Sequence, residues 1–231
     1  MPDNATPVSR TMPAFNRSQH HATRPGLRLA ISLILVLQAL CPAAVKAGGV
    51  DAAGRVIPLS NGLNVLSLTA APMPAQAFLA HRDNANAHGF DVLTIYIEAP
   101  TGPGSKPQWQ LVPVFDARDE KRQGLPRGEH LTLNVSGGAD CLLHDVRLLA
   151  PTANADATLI LADRELGDSF ASPAPVTFRF FELKKNSEGM PGRPVYYFEF
   201  AQERRAAKAY CDVGDALQAE IGAGPDRPDE R

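Results

Sequence analysis

The chain has 231 residues, 44% of them hydrophobic and 21% charged, which fits one globular domain or two small ones and excludes a disordered or collagen-like polymer. Its formal net charge of −2 gives no basis for nucleic-acid binding. Twenty prolines and eighteen glycines favour frequent turns over long helices.

Residues 1–47 read as an export leader with an N-terminal extension. Leu29–Leu40 (LAISLILVLQAL) is an apolar run too short to span a bilayer comfortably, and Arg24 and Arg28 precede it. Small residues at Val45 and Ala47 suit a signal peptidase, with cleavage before Gly48. The length of the extension makes Met12 a second candidate start. Leu40 before Cys41 and Pro42 after it argue against lipidation of that cysteine. Removal of the leader leaves 18 Lys and Arg against 24 Asp and Glu, a formal charge of −6, and no membrane span. The expected product is an exported domain over 48–223 with a frayed tail over 224–231.

Cys141 and Cys211 remain in the mature chain. Two cysteines in an oxidising compartment pair more often than they bind metal or catalyse. A bridge closing about 70 residues restricts the unfolded chain by about 4 kcal/mol.

Most of the mature chain alternates apolar and polar residues with period two. Short strands are predicted at Arg55–Leu59, Leu63–Leu68 and Ala77–His81. A longer one over Phe90–Glu98 puts Leu93, Ile95 and Ile97 on one side. The Pro/Gly-rich stretch 99–107 reads as a long hairpin loop to a strand over Gln110–Phe115. Leu131, Leu133 and Val135 then alternate with Thr132, Asn134 and Ser136, and Gly137-Gly138 ends that strand. Strands follow at Leu142–Leu149 and Ala157–Ala162. Val176, Phe178 and Phe180 share the inward face of another, with Thr177 and Arg179 facing away. The last predicted strand is Pro194–Phe200. Gln202–Tyr210 has helical composition, and Asp212 or Asp215 suits the cap of a second short helix over Ala216–Ile221. The fold class expected is all-β, an antiparallel β-sandwich with short terminal α-helices.

The sequence lacks the common catalytic signatures. There is no G-x-S-x-G, H-E-x-x-H or S-x-x-K, and no H-x-H pair among His81, His88, His130 and His144 of the mature chain. Three polar clusters stand out instead. In His81–Asp91, the oxygens of Asp83, Asn84, Asn86 and Asp91 suit calcium or sodium, or else a hydrogen-bonded hairpin loop. Ser136-Gly137-Gly138-Ala139-Asp140-Cys141, followed by His144, reads as a loop pinned by a disulfide and suited to binding a partner. Ser136 and His144 lie eight residues apart, a poor sequence signal for a nucleophile and its base. In Ala162–Ser169, Asp163, Glu165 and Asp168 suit either a cation or a solvated turn paired with Arg164.

As a set, HRDNANAHGFDV (81–92), SGGADCLLHDVRLL (136–149), ADRELGDS (162–169), NSEGMPGRPVYYFEF (186–200) and YCDVGDA (210–216) resemble the carbapenem intrinsic-resistance family of the CarG type. The likeness covers about residues 55–217. It implies a periplasmic homodimeric β-sandwich that protects against carbapenems by a route not known to be hydrolysis. It also implies a bound cation, for which the first and third clusters supply candidates: Asp83, Asn84, Asn86, Asp91, Asp163 and Glu165. The fold is similar as well to periplasmic inhibitors of invertebrate-type lysozyme, which insert an SG-x-(x)-Y loop into the enzyme. Asp140 stands where their tyrosine is expected. Bringing it to the catalytic carboxylates of a lysozyme cleft meets like-charge repulsion. Expected partners are therefore a second copy and either a β-lactam or a periplasmic protein.

Overall fold

The computed structural model describes residues 54–86, 88–102, 104–116, 128–137 and 140–224. The leader over 1–47, Gly138 of the predicted binding loop and tail residues 225–231 lie outside the described residues. Eleven strands are described: β1 (Gly62–Leu66), β2 (Ala75–Arg82), β3 (Phe90–Pro100), β4 (Pro107–Leu111), β5 (Val114–Phe115), β6 (Glu129–His130), β7 (Leu133–Gly137), β8 (Leu142–Leu149), β9 (Thr158–Arg164), β10 (Ala174–Lys185) and β11 (Tyr196–Tyr210). A single α-helical turn, α1 (Val213–Ala216), runs into a π-helical turn over Leu217–Ile221. No helix among the described residues is long and apolar enough to cross a membrane.

The all-β expectation holds. Pairing joins the strands into one sheet in the order β1-β2-β3-β7-β8-β9-β10-β11-β5-β6, with β4 on β3. Every pairing is antiparallel except β11 with β5. One edge of β3 is divided between two partners: β4 takes Tyr96–Pro100, and β7 takes Phe90–Leu93.

Alternation works as the sequence implies. Leu93, Ile95, Ile97 and Ala99 of β3 are buried in one cluster with Leu79 of β2, Val146 and Leu148 of β8, and Phe181 and Leu183 of β10. Residues from both halves of the pairing order thus share one core. A second cluster holds Leu149, Ile160, Ala162, Val176, Phe178 and Phe180 together with Val213 and Leu217. Adjacent residues Leu159 and Ile160 fall in different clusters, so the middle of the sheet is buried on both faces. This accounts for the unbroken apolar run Leu159-Ile160-Leu161-Ala162. In β10 the buried aromatic set changes phase: Phe178 and Phe180 face the second cluster, and Phe181 and Leu183 face the first. The register shift beside it falls in β11, where Ala201 is the extra residue, and the pairing of β10 with β9 runs unbroken.

Three local expectations are corrected. Gln202–Tyr210 is not a helix but the continuation of β11. Gln202, Glu203, Arg204 and Arg205 pair with Phe180, Arg179, Phe178 and Thr177 of β10. Helix propensity is a weak prior, and the backbone partners offered by β10 override it. Arg204 stacks 5.7 Å from the Phe178 ring, and Arg205 Nη2 donates to Glu165 Oε1 at 2.7 Å. Gln110–Phe115 is two strands rather than one, split around Pro113, which has no N–H to give a ladder. Arg55–Leu59 makes only the bridge Val56 to Leu149, flanked by Ile57 N to Leu148 O at 2.8 Å.

The chain end follows the capping expectation. Asp212 caps α1, its Oδ1 accepting from Gly214 N at 2.7 Å. Arg147 of β8 reaches the same end, its Nε donating to Gly224 O at 3.2 Å, which ties down the first residue of the expected tail.

Candidate functional site

Ser136, His144 and Asp163 form a row across three neighbouring strands. Ser136 of β7 pairs in register with His144 of β8, and His144 pairs with Asp163 of β9. Cross-strand partners present their side chains to one face of a sheet, about 5 Å apart at Cβ. His144 Nδ1 lies 2.7 Å from Asp163 Oδ1. Asp163 Oδ2 accepts from Arg179 of β10, with Nε at 3.1 Å and Nη2 as the second donor. Arg179 Nη1 continues the chain to Asp116 Oδ2 at 2.5 Å.

Asp116 is buried just beyond β5. Its N–H donates to Gly128 O at 2.8 Å. Gly128 has φ +69°, and a Cβ there would lie 1.8 Å from the Asp116 carbonyl oxygen, so only glycine fits. The Gly128 backbone thus lies directly against Asp116, whose carboxylate meets the Arg179 guanidinium.

The row opens on a cleft of about 380 Å³ whose walls include His130, Asn134, Ser136, His144, Asp163 and Arg179. Burial disfavours ionised Asp163, but the His144 hydrogen bond and the Arg179 charge outweigh it. The carboxyl is held below its ordinary range. Burial likewise works against charged Arg179, and Asp163 followed by Asp116 reverses the balance and raises it. Asp163 is therefore a fixed carboxylate at neutral pH. It accepts from Nδ1–H of His144 and so assigns Nε2 of the neutral ring as an acceptor.

The pinned loop is built as expected around the disulfide. Cys141 and Cys211 are bonded, with Cα atoms 5.6 Å apart. A Cβ on Gly137 would lie 2.4 Å from the Cys141 carbonyl oxygen, which explains the glycine at the end of β7. Leu142 N donates to Asp212 Oδ2 at 3.0 Å, a second tie between this hairpin and the start of α1. Asp140 is exposed.

The six cation candidates have separate hydrogen-bond or ion-pair partners. Asp83 Oδ1 accepts from Ala85 N, Asn86 Oδ1 from His88 N and Asn84 Oδ1 from Arg82 Nη1, at 2.7–2.8 Å. Asp91 Oδ1 lies 2.7 Å from His81 Nδ1. These oxygens serve the loop between β2 and β3. The third cluster is divided: Asp163 enters the row with His144, whereas Glu165 pairs with Arg205. Among the described residues, no group of three or more His, Cys, Asp or Glu side chains is placed to hold a metal ion.

Sequence reasoning missed Arg179, Asp116 and His130. Arg179 carried a usable signal, as a charged residue amid the apolar strand Val176–Phe181. Arg147 was missed as well, and Arg164, expected to pair with the acids of a solvated turn, is buried among backbone carbonyls instead. Arg164 donates to the carbonyl oxygens of Ser169, Phe170, Ser172 and Cys211, and holds the β9–β10 loop against the disulfide. Arg147 pairs with Asp145 at 2.6 Å, both side chains 1% exposed.

No family model matches the chain, and no curated protein matches it. Among solved structures it is similar to the crystal structure of CarG, with a TM-score of 0.53 and 22% sequence identity. The match covers 71% of this chain and 94% of that one. The chain has the CarG fold. On that CarG-like framework, β7, β8 and β9 carry the row of polar residues and β10 supplies the arginine that braces it.

Proposed function

We propose that the protein is an exported carbapenem-resistance protein of the CarG type, acting by binding rather than by hydrolysis. The observation that carries this reading is the fold shared with CarG over 94% of that chain. The sequence segments that resemble the carbapenem-resistance family support the biological role. The chain also lacks the S-x-x-K motif of serine β-lactamases and the H-x-H pair of zinc hydrolases. The cleft beside β7–β9 is the surface offered to the drug, with Asn134, Ser136 and His144 as the polar groups it meets. A homodimer in the periplasm belongs to the same reading.

The test is genetic and chemical together. Deleting the gene should make its host more sensitive to a simple carbapenem while the rate of drug loss in the culture stays the same. Unchanged sensitivity, or repeated turnover of the drug by the purified protein, contradicts the proposal. Light scattering on the secreted product should give twice the chain mass.

A further inference from the structure

The row Ser136–His144–Asp163 has the order of parts that an acyl-accepting serine needs: hydroxyl, imidazole, carboxylate. We propose that Ser136 is an activated nucleophile, with His144 as its general base and Asp163 as the residue that orients the ring, and that the cleft accepts acyl groups from activated esters. The proposal goes beyond the binding reading and does not rest on it.

Four observations converge on it. First, Ser136 pairs with His144 across β7 and β8, beside a register shift at Gly137, and His144 pairs with Asp163 across the regular β8–β9 ladder. Second, the 2.7 Å contact from Nδ1 to Asp163 fixes the ring and leaves Nε2 without a partner among the described residues. Third, the Asp163 carboxylate is itself braced by Arg179, and Arg179 by buried Asp116, so the orienting group is held from behind. Fourth, the row lines an open cleft, with the His144 side chain 47% exposed, so an ester has room to approach. Asn134 stands two residues before Ser136 on β7 and lines the same cleft. Its amide is the donor the proposal assigns to the oxygen that becomes negative in the tetrahedral intermediate.

The step balances without a cofactor. Ser136 Oγ forms a bond to the acyl carbon as its proton passes to His144 Nε2. The bond from acyl carbon to the leaving group then breaks, and the leaving group departs with the bonding pair. With p-nitrophenyl acetate the products are acetyl-Ser136 and p-nitrophenolate, and the proton on His144 returns to solvent. The buried pair Asp145–Arg147, also on β8, takes no part.

The experiment mixes the mature, disulfide-bonded protein with p-nitrophenyl acetate and follows nitrophenolate release and intact mass. One acetyl group per chain, mapped by peptide mass spectrometry to Ser136, is the expected result. Ser136→Ala should abolish the label. His144→Gln should slow it about 100-fold, within the range for loss of a general base. Asp163→Asn should slow it about tenfold or more through loss of ring orientation. A thermal melt of each variant separates slow acylation from failure to fold, and His144→Gln, a half-exposed substitution, provides the folded control. No label, a label on another residue, or labelling of Ser136 that is indifferent to His144→Gln overturns the proposal. None of these outcomes alters the carbapenem reading, which the deletion strain tests separately.

Discussion

His144 and Asp163 face each other across the β8–β9 ladder with 2.7 Å between Nδ1 and Oδ1, and the carboxylate that orients the ring is gripped on its other side by Arg179. The same carboxylate thus serves an imidazole and a guanidinium. That double role gives the site a pH signature.

The folded-state pKa of Asp163 is lowered, so its contribution to stability is present above the unfolded carboxylate range and is lost as pH falls through the folded value. Asp163→Asn should lower stability at neutral pH by about 1–2 kcal/mol, a figure reduced by its partial exposure. It should also flatten the loss of stability between about pH 4 and lower pH. Denaturant melts of both proteins across acidic pH check this. Parallel curves for the two would remove Asp163 from the acid response.

Breaking the staple should act mainly on the unfolded chain. Cys141→Ser with Cys211→Ser is expected to cost about 4 kcal/mol, given the sequence separation of 70. Equilibrium unfolding in guanidinium measures it, with the wild type kept oxidised.

The second cluster depends on Phe178, which is fully buried between the sheet and the C-terminal turns. Phe178→Ala should destabilise by about 3–5 kcal/mol through lost burial and the cavity left behind. A shift in denaturant midpoint at unchanged slope is the expected readout.

Ala209 distinguishes strand from helix in the last part of β11. It is exposed and paired with Pro175. Ala209→Val should stabilise by a few tenths of a kcal/mol in a strand, whereas in a helix the β-branched residue would destabilise by about 0.5 kcal/mol. The sign of the change in thermal midpoint decides.

Asp140 is exposed on the pinned loop, so Asp140→Tyr should leave stability within about 0.5 kcal/mol of wild type. A larger loss in a thermal melt would mean that the carboxylate supports the hairpin.

Strand positions were legible because a half-buried strand writes its two faces into alternate residues, as in Phe90–Pro100 and Leu142–Leu149. The end of β11 was not, because Ala201–Ala209 is largely exposed and its sequence reports helix propensity, whereas its conformation is set by β10. The site was half legible. In the sequence Ser136 and His144 stand on one hairpin, and Asp163 stands in a separate acidic cluster. Only the register of β8 against β9 joins them. Arg179 and Asp116 are 63 residues apart, and no local spacing reveals that they meet.

Calorimetry of the purified mature protein with a simple carbapenem, with the drug spectrum followed in parallel, tests the central claim most directly. The account expects saturable binding, weakened by His144→Ala, with no more than one drug molecule consumed per chain. No heat of binding, or repeated turnover of the drug, would contradict it.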